Sequence, residues 1–125
     1  MDFPIIADPD RRISCLYGML NQEHLEDSGL PLTVRSCFII GPDRKIKTII
    51  SYPASTGRNF DEILSFIDSL QLAISHKVAT PADWTSGKDV VVLPSVPTDE
   101  ARKLFPKGLV EVRPWLRTTP DPKSA

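Results

Sequence analysis

The chain has 125 residues, 41% of them hydrophobic and 25% charged, the length and composition of a globular protein able to bury its own core. Its formal charge of -1 is spread along the sequence, which leaves no basic patch for nucleic acid or anionic lipid, so neither is expected as a partner. No apolar run approaches the ~20 residues that cross a bilayer, and Met1-Asp2-Phe3-Pro4 lacks the basic then apolar pattern of a signal region. The expected compartment is the cytosol, with mitochondria left open for a form with a longer N-terminus. Cys15 and Cys37 stand without a second pair, which fits neither a disulfide framework nor a zinc site, so each is read as an individual thiol and no metal is expected.

In chain order, Phe3 to Ile6 is an apolar run read as a buried strand, closed by the Asp8-Pro9-Asp10 turn. Asp10 then serves as N-cap for a helix over Arg11 to Leu20, with Ile13, Leu16, Tyr17 and Leu20 on one stripe and Cys15 off it. Asn21 to Leu30 is polar and reads as a loop. Thr33 to Ile40 and Ile46 to Ser51 are rich in β-branched and aromatic residues, and with Gly41 to Lys45 between them they predict an antiparallel hairpin.

Asn59 is the N-cap of the best-marked helix, whose stripe of Phe60, Ile63, Leu64, Ile67, Leu70 and Ile74 is interrupted by Gln71. That stripe is expected to carry most of the packing energy. Most of the twelve prolines follow Thr80, which places a domain boundary near Ser75 to Thr80. Beyond it come a strand at Val90 to Leu93, a helix from Thr98 to Leu104 with Asp99 and Glu100 in its first turn, and a tail from Thr118 expected to be disordered. The order strand, helix, hairpin, helix predicts an α/β fold, a thioredoxin-like domain entered halfway.

Six blocks are more specific: Phe3-Pro4-Ile5-Ile6, Gly18-Met19-Leu20, Gly41-Pro42-Asp43, Tyr52-Pro53-Ala54-Ser55-Thr56-Gly57-Arg58-Asn59-Phe60-Asp61-Glu62, Ala79-Thr80-Pro81-Ala82-Asp83-Trp84 and Lys103-Leu104-Phe105-Pro106-Lys107-Gly108. In order and spacing they resemble the C-terminal half of 1-Cys peroxiredoxins. The resemblance implies part of a thioredoxin-like peroxiredoxin domain over residues 1–75 and the family's small C-terminal domain over 76–125. It further implies thiol-dependent reduction of hydrogen peroxide and organic hydroperoxides without metal or organic cofactor. In that family a thiolate in a Pro-x-x-x-Thr/Ser-x-x-Cys loop attacks the peroxide, and a distant arginine stabilises it, since a nearby cation lowers a thiol pKa and stabilises developing charge. By position Arg35 resembles that arginine and Arg58 a second arginine of the same pocket. The cysteine loop itself does not occur in these 125 residues.

Strand alternation puts Cys37 on the face of Arg35, where it is read as a minor candidate thiol against the commoner role of a small buried hydrophobe. Cys15 is read as packed. His24 and His76 are read as solvated, with no cysteine or carboxylate at catalytic spacing. Asp43 matches an aspartate linked to the phospholipase side-activity of some members, and is preferred as a turn residue after Pro42, with Arg44, Lys45 and Lys47 a solvated tip. The family sheet would lack its central strands in this chain, which is therefore not expected to be a well-behaved monomer. Its expected partner is a second copy or a full-length peroxiredoxin, paired through the edge strand Ile46 to Ser51. Function divides three ways: part of an active peroxidase completed upstream, a non-catalytic module pairing with a full-length peroxiredoxin, or a truncated homologue recruited to other chemistry. A peroxide substrate is expected only for the completed site.

Overall fold

A computed structural model describes residues 2–25, 29, 31–53 and 55–124, which form two compact units, one ending at Arg58 and the other beginning at Asn59. In the first unit the expected strand at Phe3 to Ile6 is absent. No strand pairs with it among the described residues, and Phe3, Ile5 and Ile6 are exposed, because an apolar run becomes a strand only where a ladder partner takes up its backbone groups.

Helix α1 covers Arg12–Leu16, half the expected length. The N-cap position is Arg11, not Asp10, and the first-turn amides are held mainly by Asp8, with Asp10 accepting the Arg12 N–H at 3.5 Å. The Asp8 carboxylate accepts the N–H of Ile13 at 3.0 Å, the N–H of Ser14 at 2.8 Å and the Ser14 hydroxyl at 2.6 Å, which satisfies the free donors of the first turn. Gly18 stops the helix. With φ at 65° it takes the left-handed conformation, so that its N–H reaches the Cys15 carbonyl at 3.0 Å and the Met19 N–H reaches Ser14 at 2.8 Å, a Schellman closure.

Strand β1, Leu20–Leu25, pairs antiparallel with β2, Pro31–Thr33, where a loop over Asn21 to Leu30 was expected; residues 26–28 and 30 of that stretch lie outside the described residues. The sequence Leu20-Asn21-Gln22-Glu23-His24-Leu25 has no alternation to announce it, and backbone pairing alone makes it a strand. Val34 donates to Met19 at 2.7 Å and divides the expected Thr33 to Ile40 strand into β2 and β3, Arg35–Ile40. The hairpin of β3 with β4, Ile46–Tyr52, forms as expected. Its register holds a bulge, for Ile40 faces Ile46 while Ile39 faces Thr48, leaving Lys47 unopposed. Phe38 meets Tyr17 edge to face at 5.3 Å, which sets α1 on the Phe38 side of the hairpin.

The second unit opens with α2, Phe60–His76, capped as expected by Asn59, whose side-chain oxygen accepts from Asp61 and Glu62 at 3.0 and 3.2 Å. It ends at Lys77 in the left-handed conformation. The four-stranded antiparallel sheet that follows runs β5, β6, β8, β7 across its width, built from Val78–Ala79, Val90–Val92, Leu116–Thr119 and Val110–Arg113, with α3, Thr98–Leu104, inserted between β6 and β7. The buried core is Leu72, Val78, Trp84, Val90, Val92, Val96, Ala101 and Phe105, with the Trp84 indole N–H donating to the Lys88 carbonyl at 3.0 Å.

The α2 expectation needs correcting on which side is buried. Leu72, which lies off the named stripe, is 1% exposed, whereas Phe60 and Ile74 on the stripe are each 70% exposed and Leu64 is exposed as well. At 100° per residue Leu72, Ser69 and His76 lie on one side and the stripe lies on the other. The helix meets the β5 end of the sheet with the first side. The tail is corrected too. Residues 118–124 are ordered as the end of β8 and a closing turn, held by Asp121, which is 2% exposed and accepts the Gly87 N–H at 2.9 Å and the Lys123 N–H at 2.8 Å.

Candidate functional site

Arg35 begins β3 and stands directly opposite Tyr52 on β4, so both side chains project from one face of the hairpin. Together with Asn21, Thr33, Val34 and Pro53 they line a cleft of about 230 Å³. Arg35 is exposed, and its guanidinium has no ion pair or hydrogen bond among the described residues. The bulge at Lys47 decides this partnership. Counting outward from an unbulged loop would place Ser51 opposite Arg35, and the extra residue moves Tyr52 there instead. Tyr52 and Asn21 are therefore cleft residues that sequence reading missed. The Tyr52 signal was present only in the register, and Asn21 depends on an unannounced β1.

Arg58, exposed in the segment between β4 and α2, is not in the wall of that cleft. Cys37 is half-buried opposite Ile50, on the Arg35 face by alternation and likewise outside the cleft wall, while the other face carries the Ser36 and Ser51 hydroxyls 2.8 Å apart. Both cysteines are free, and Cys15 is exposed on α1, where a packed role was expected. The helix is too short to present a second buried surface.

At the hairpin tip Asp43 accepts the Lys47 ammonium at 2.8 Å and the Lys45 N–H at 3.3 Å. The Lys47 hydrogen bond, above all, holds its carboxyl below the ordinary value of 3.8. This is a turn residue tying down its own loop, with Lys47 engaged where a solvated charge was expected. The His24 side chain lies outside the described residues. His76 is half-buried in the last turn of α2 with Nδ1 enclosed and unpaired, so the expectation of a solvated ring is corrected. Among the described residues no group of three His, Cys, Asp or Glu side chains could hold a metal ion, and no helix is long and apolar enough to cross a membrane.

Comparison with known proteins gives the cleft its context. Residues 69–108 match the model of the C-terminal domain of 1-Cys peroxiredoxin. Over 98% of the chain the sequence is 52% identical to peroxiredoxin-6 of Gallus gallus, and over 98% it is 48% identical to the 1-Cys peroxiredoxin of Dictyostelium discoideum. The chain belongs to the 1-Cys peroxiredoxin family. A crystal structure of a cysteine-to-serine variant of peroxiredoxin 6 from Arenicola marina superposes over 99% of the chain with a TM-score of 0.88 at 51% identity. A yeast mitochondrial 1-Cys peroxiredoxin, described with its thiol resolved via glutathione and thioredoxin systems, superposes over 95% with a TM-score of 0.82 at 41% identity. The fold class is thus thioredoxin-like peroxiredoxin with the family's small C-terminal domain. The chain spans about half the length of these relatives, covering 57% of the Gallus gallus protein and 58% of the Arenicola marina chain.

Proposed function

We propose that this chain supplies the arginine side of a peroxide-reducing thiol site and has no peroxidase activity of its own above that of a free thiol. The observation that carries the reading is Arg35, a guanidinium on the wall of a cleft with no counter-ion among the described residues. In a completed site a cysteine thiolate attacks one oxygen of the hydroperoxide. The O–O bond breaks, the sulfur is oxidised to a sulfenic acid, and the other oxygen leaves as an alcohol or water once protonated. Arg35 has two tasks in that step: it holds the thiol ionised, and it meets the charge that develops on the leaving oxygen. Arg58 is the second arginine we assign to the pocket, and Cys37 the minor candidate thiol. No metal or organic cofactor enters the proposal, the cytosol is the compartment we assign, and the division into domains after residue 75 stays part of it.

The thiolate belongs to a Pro-x-x-x-Thr/Ser-x-x-Cys segment, which these 125 residues do not contain. Intact mass of the native protein tests whether a longer form carries it. Stopped-flow consumption of hydrogen peroxide by the reduced 125-residue chain tests the rest: a rate no faster than an ordinary thiol is expected, and fast saturating turnover abolished by Cys37→Ser would overturn the reading.

The second reading is a non-catalytic module that pairs with a full-length peroxiredoxin or with its own copy through β4. It is favoured by a specific feature, since β4 pairs only with β3 among the described residues and leaves its other edge open, with Ile46 and Ile49 exposed beside it. Sedimentation equilibrium at micromolar concentration checks it, and a clean monomer that fails to co-purify with a full-length relative would sink it.

A further inference from the structure

The second unit holds a cleft lined by none of the residues assigned above to peroxide chemistry. About 260 Å³ of space opens beside the last turn of α2, walled on its apolar side by Leu104, Phe105 and three prolines, Pro106, Pro120 and Pro122. Phe105 belongs to the buried core, and the prolines have fixed backbone angles, so this wall is preformed rather than assembled around a ligand. Its polar groups come from His76, Lys107 and Thr119, and among the described residues no acidic side chain lines the space.

Each polar group has a definite state. Thr119 is occupied, its hydroxyl donating to the Gly108 carbonyl at 2.8 Å. The Lys107 ammonium donates to the Ser124 carbonyl and keeps two further N–H donors. The His76 Nδ1 is enclosed with no hydrogen-bond partner among the described residues. The cleft therefore offers ammonium donors and positive charge together with a hydrocarbon wall. That combination selects an organic anion with an apolar body, since a neutral hydrocarbon would gain nothing from the two remaining ammonium donors and an inorganic anion would leave the wall uncovered. The volume suits one ring and is too small for a nucleotide or a folded peptide segment.

We propose that this cleft binds a small aryl carboxylate, with the carboxylate at the Lys107 ammonium and the ring against Phe105 and the prolines. The test is a fluorine NMR titration of 4-fluorobenzoate into the full chain, with 4-fluorobenzyl alcohol as the neutral counterpart. Saturable binding with a dissociation constant on the order of 1 mM is expected for so small a ligand. Lys107→Met, at an exposed position, weakens it roughly five-fold or more, and the neutral alcohol binds weaker by a similar factor. Leu104→Trp, which fills the space from a partly exposed position, abolishes it. Amide shifts in the same titration centre on Phe105, Lys107 and Thr119. The proposal is overturned by absence of saturation, by equal affinity for acid and alcohol, by unchanged affinity in Lys107→Met, or by amide shifts centred on Arg35.

Discussion

The two units differ in what holds them together. Every residue of the buried apolar core lies in the second, between Leu72 and Phe105. The first buries no hydrophobic side chain among its described residues: its one buried residue is Ser14, 9% exposed and clasped by Asp8, while Phe3, Ile5, Ile6, Leu16, Ile46 and Ile49 face water. Hydrogen bonds are nevertheless well formed in the first, in the cap and closure of α1 and in the β3–β4 ladder. Local hydrogen bonding can thus specify helices and hairpins without a core, but it supplies little net stability, because water competes for the same bonds. The first unit has the right elements and the second has the packing.

The sharpest way to break this contrast is truncation in each unit. Leu72→Ala is expected to cost about 2–5 kcal/mol, read from a denaturant midpoint at unchanged slope. Ile6→Ala, at an exposed site, should stay within about 0.5 kcal/mol. Equal shifts for the two would mean that Ile6 is covered in solution and that the first unit has a core after all.

Arg117 gives a smaller effect and a finer distinction. It is 5% exposed, donating to the Thr98 hydroxyl at 3.3 Å and the Leu93 carbonyl at 3.2 Å, with no carboxylate partner and Nε unpaired among the described residues. Arg117→Met removes both bonds together with the desolvated charge, and a net loss of about 1 kcal/mol is expected in thermal or denaturant unfolding. A gain in stability would mean that burying the cation costs more than its bonds return.

Amide hydrogen exchange should divide along the same line. Val91 and Thr118, paired across β6 and β8 beside the core, are expected to exchange far more slowly than Cys37 and Ile50 in the open hairpin. Comparable protection in both would indicate that another surface covers β3 and β4 in solution.

The smallest expected effect is a pH response of the first unit. Asp8 has its carboxyl lowered from 3.8, chiefly by the Ser14 hydroxyl and further by the Ile13 and Ser14 amides. A carboxyl lowered by folding contributes stability that is present above its unfolded pKa and is lost as pH falls through the folded one. Loosening of α1 is therefore expected as pH drops below about 4, seen as faster exchange of the Ser14 amide. Asp8→Asn should remove that dependence, and a response that persists in the variant would assign it to another group.

What the amino-acid sequence determined by itself was local. Asn59 and the following stripe marked α2, the residues from Thr33 to Ser51 marked the hairpin, and Thr98 to Leu104 marked α3, because helix and turn bonds join residues a few positions apart whose identities can be read together. The order of the six blocks marked the family in the same direct way. Gly18 was a readable stop signal for α1 that the longer apolar stripe overrode. Tertiary structure alone decided the rest: that Leu72 and not Ile67 anchors α2, that β1 and β2 pair without alternation, that the bulge at Lys47 puts Tyr52 beside Arg35, and that Asp121 ties the tail to Gly87. Each of these depends on which distant backbone or surface arrives, and the free energy that settles it comes from burial and pairing between segments far apart in the chain, which no local pattern encodes.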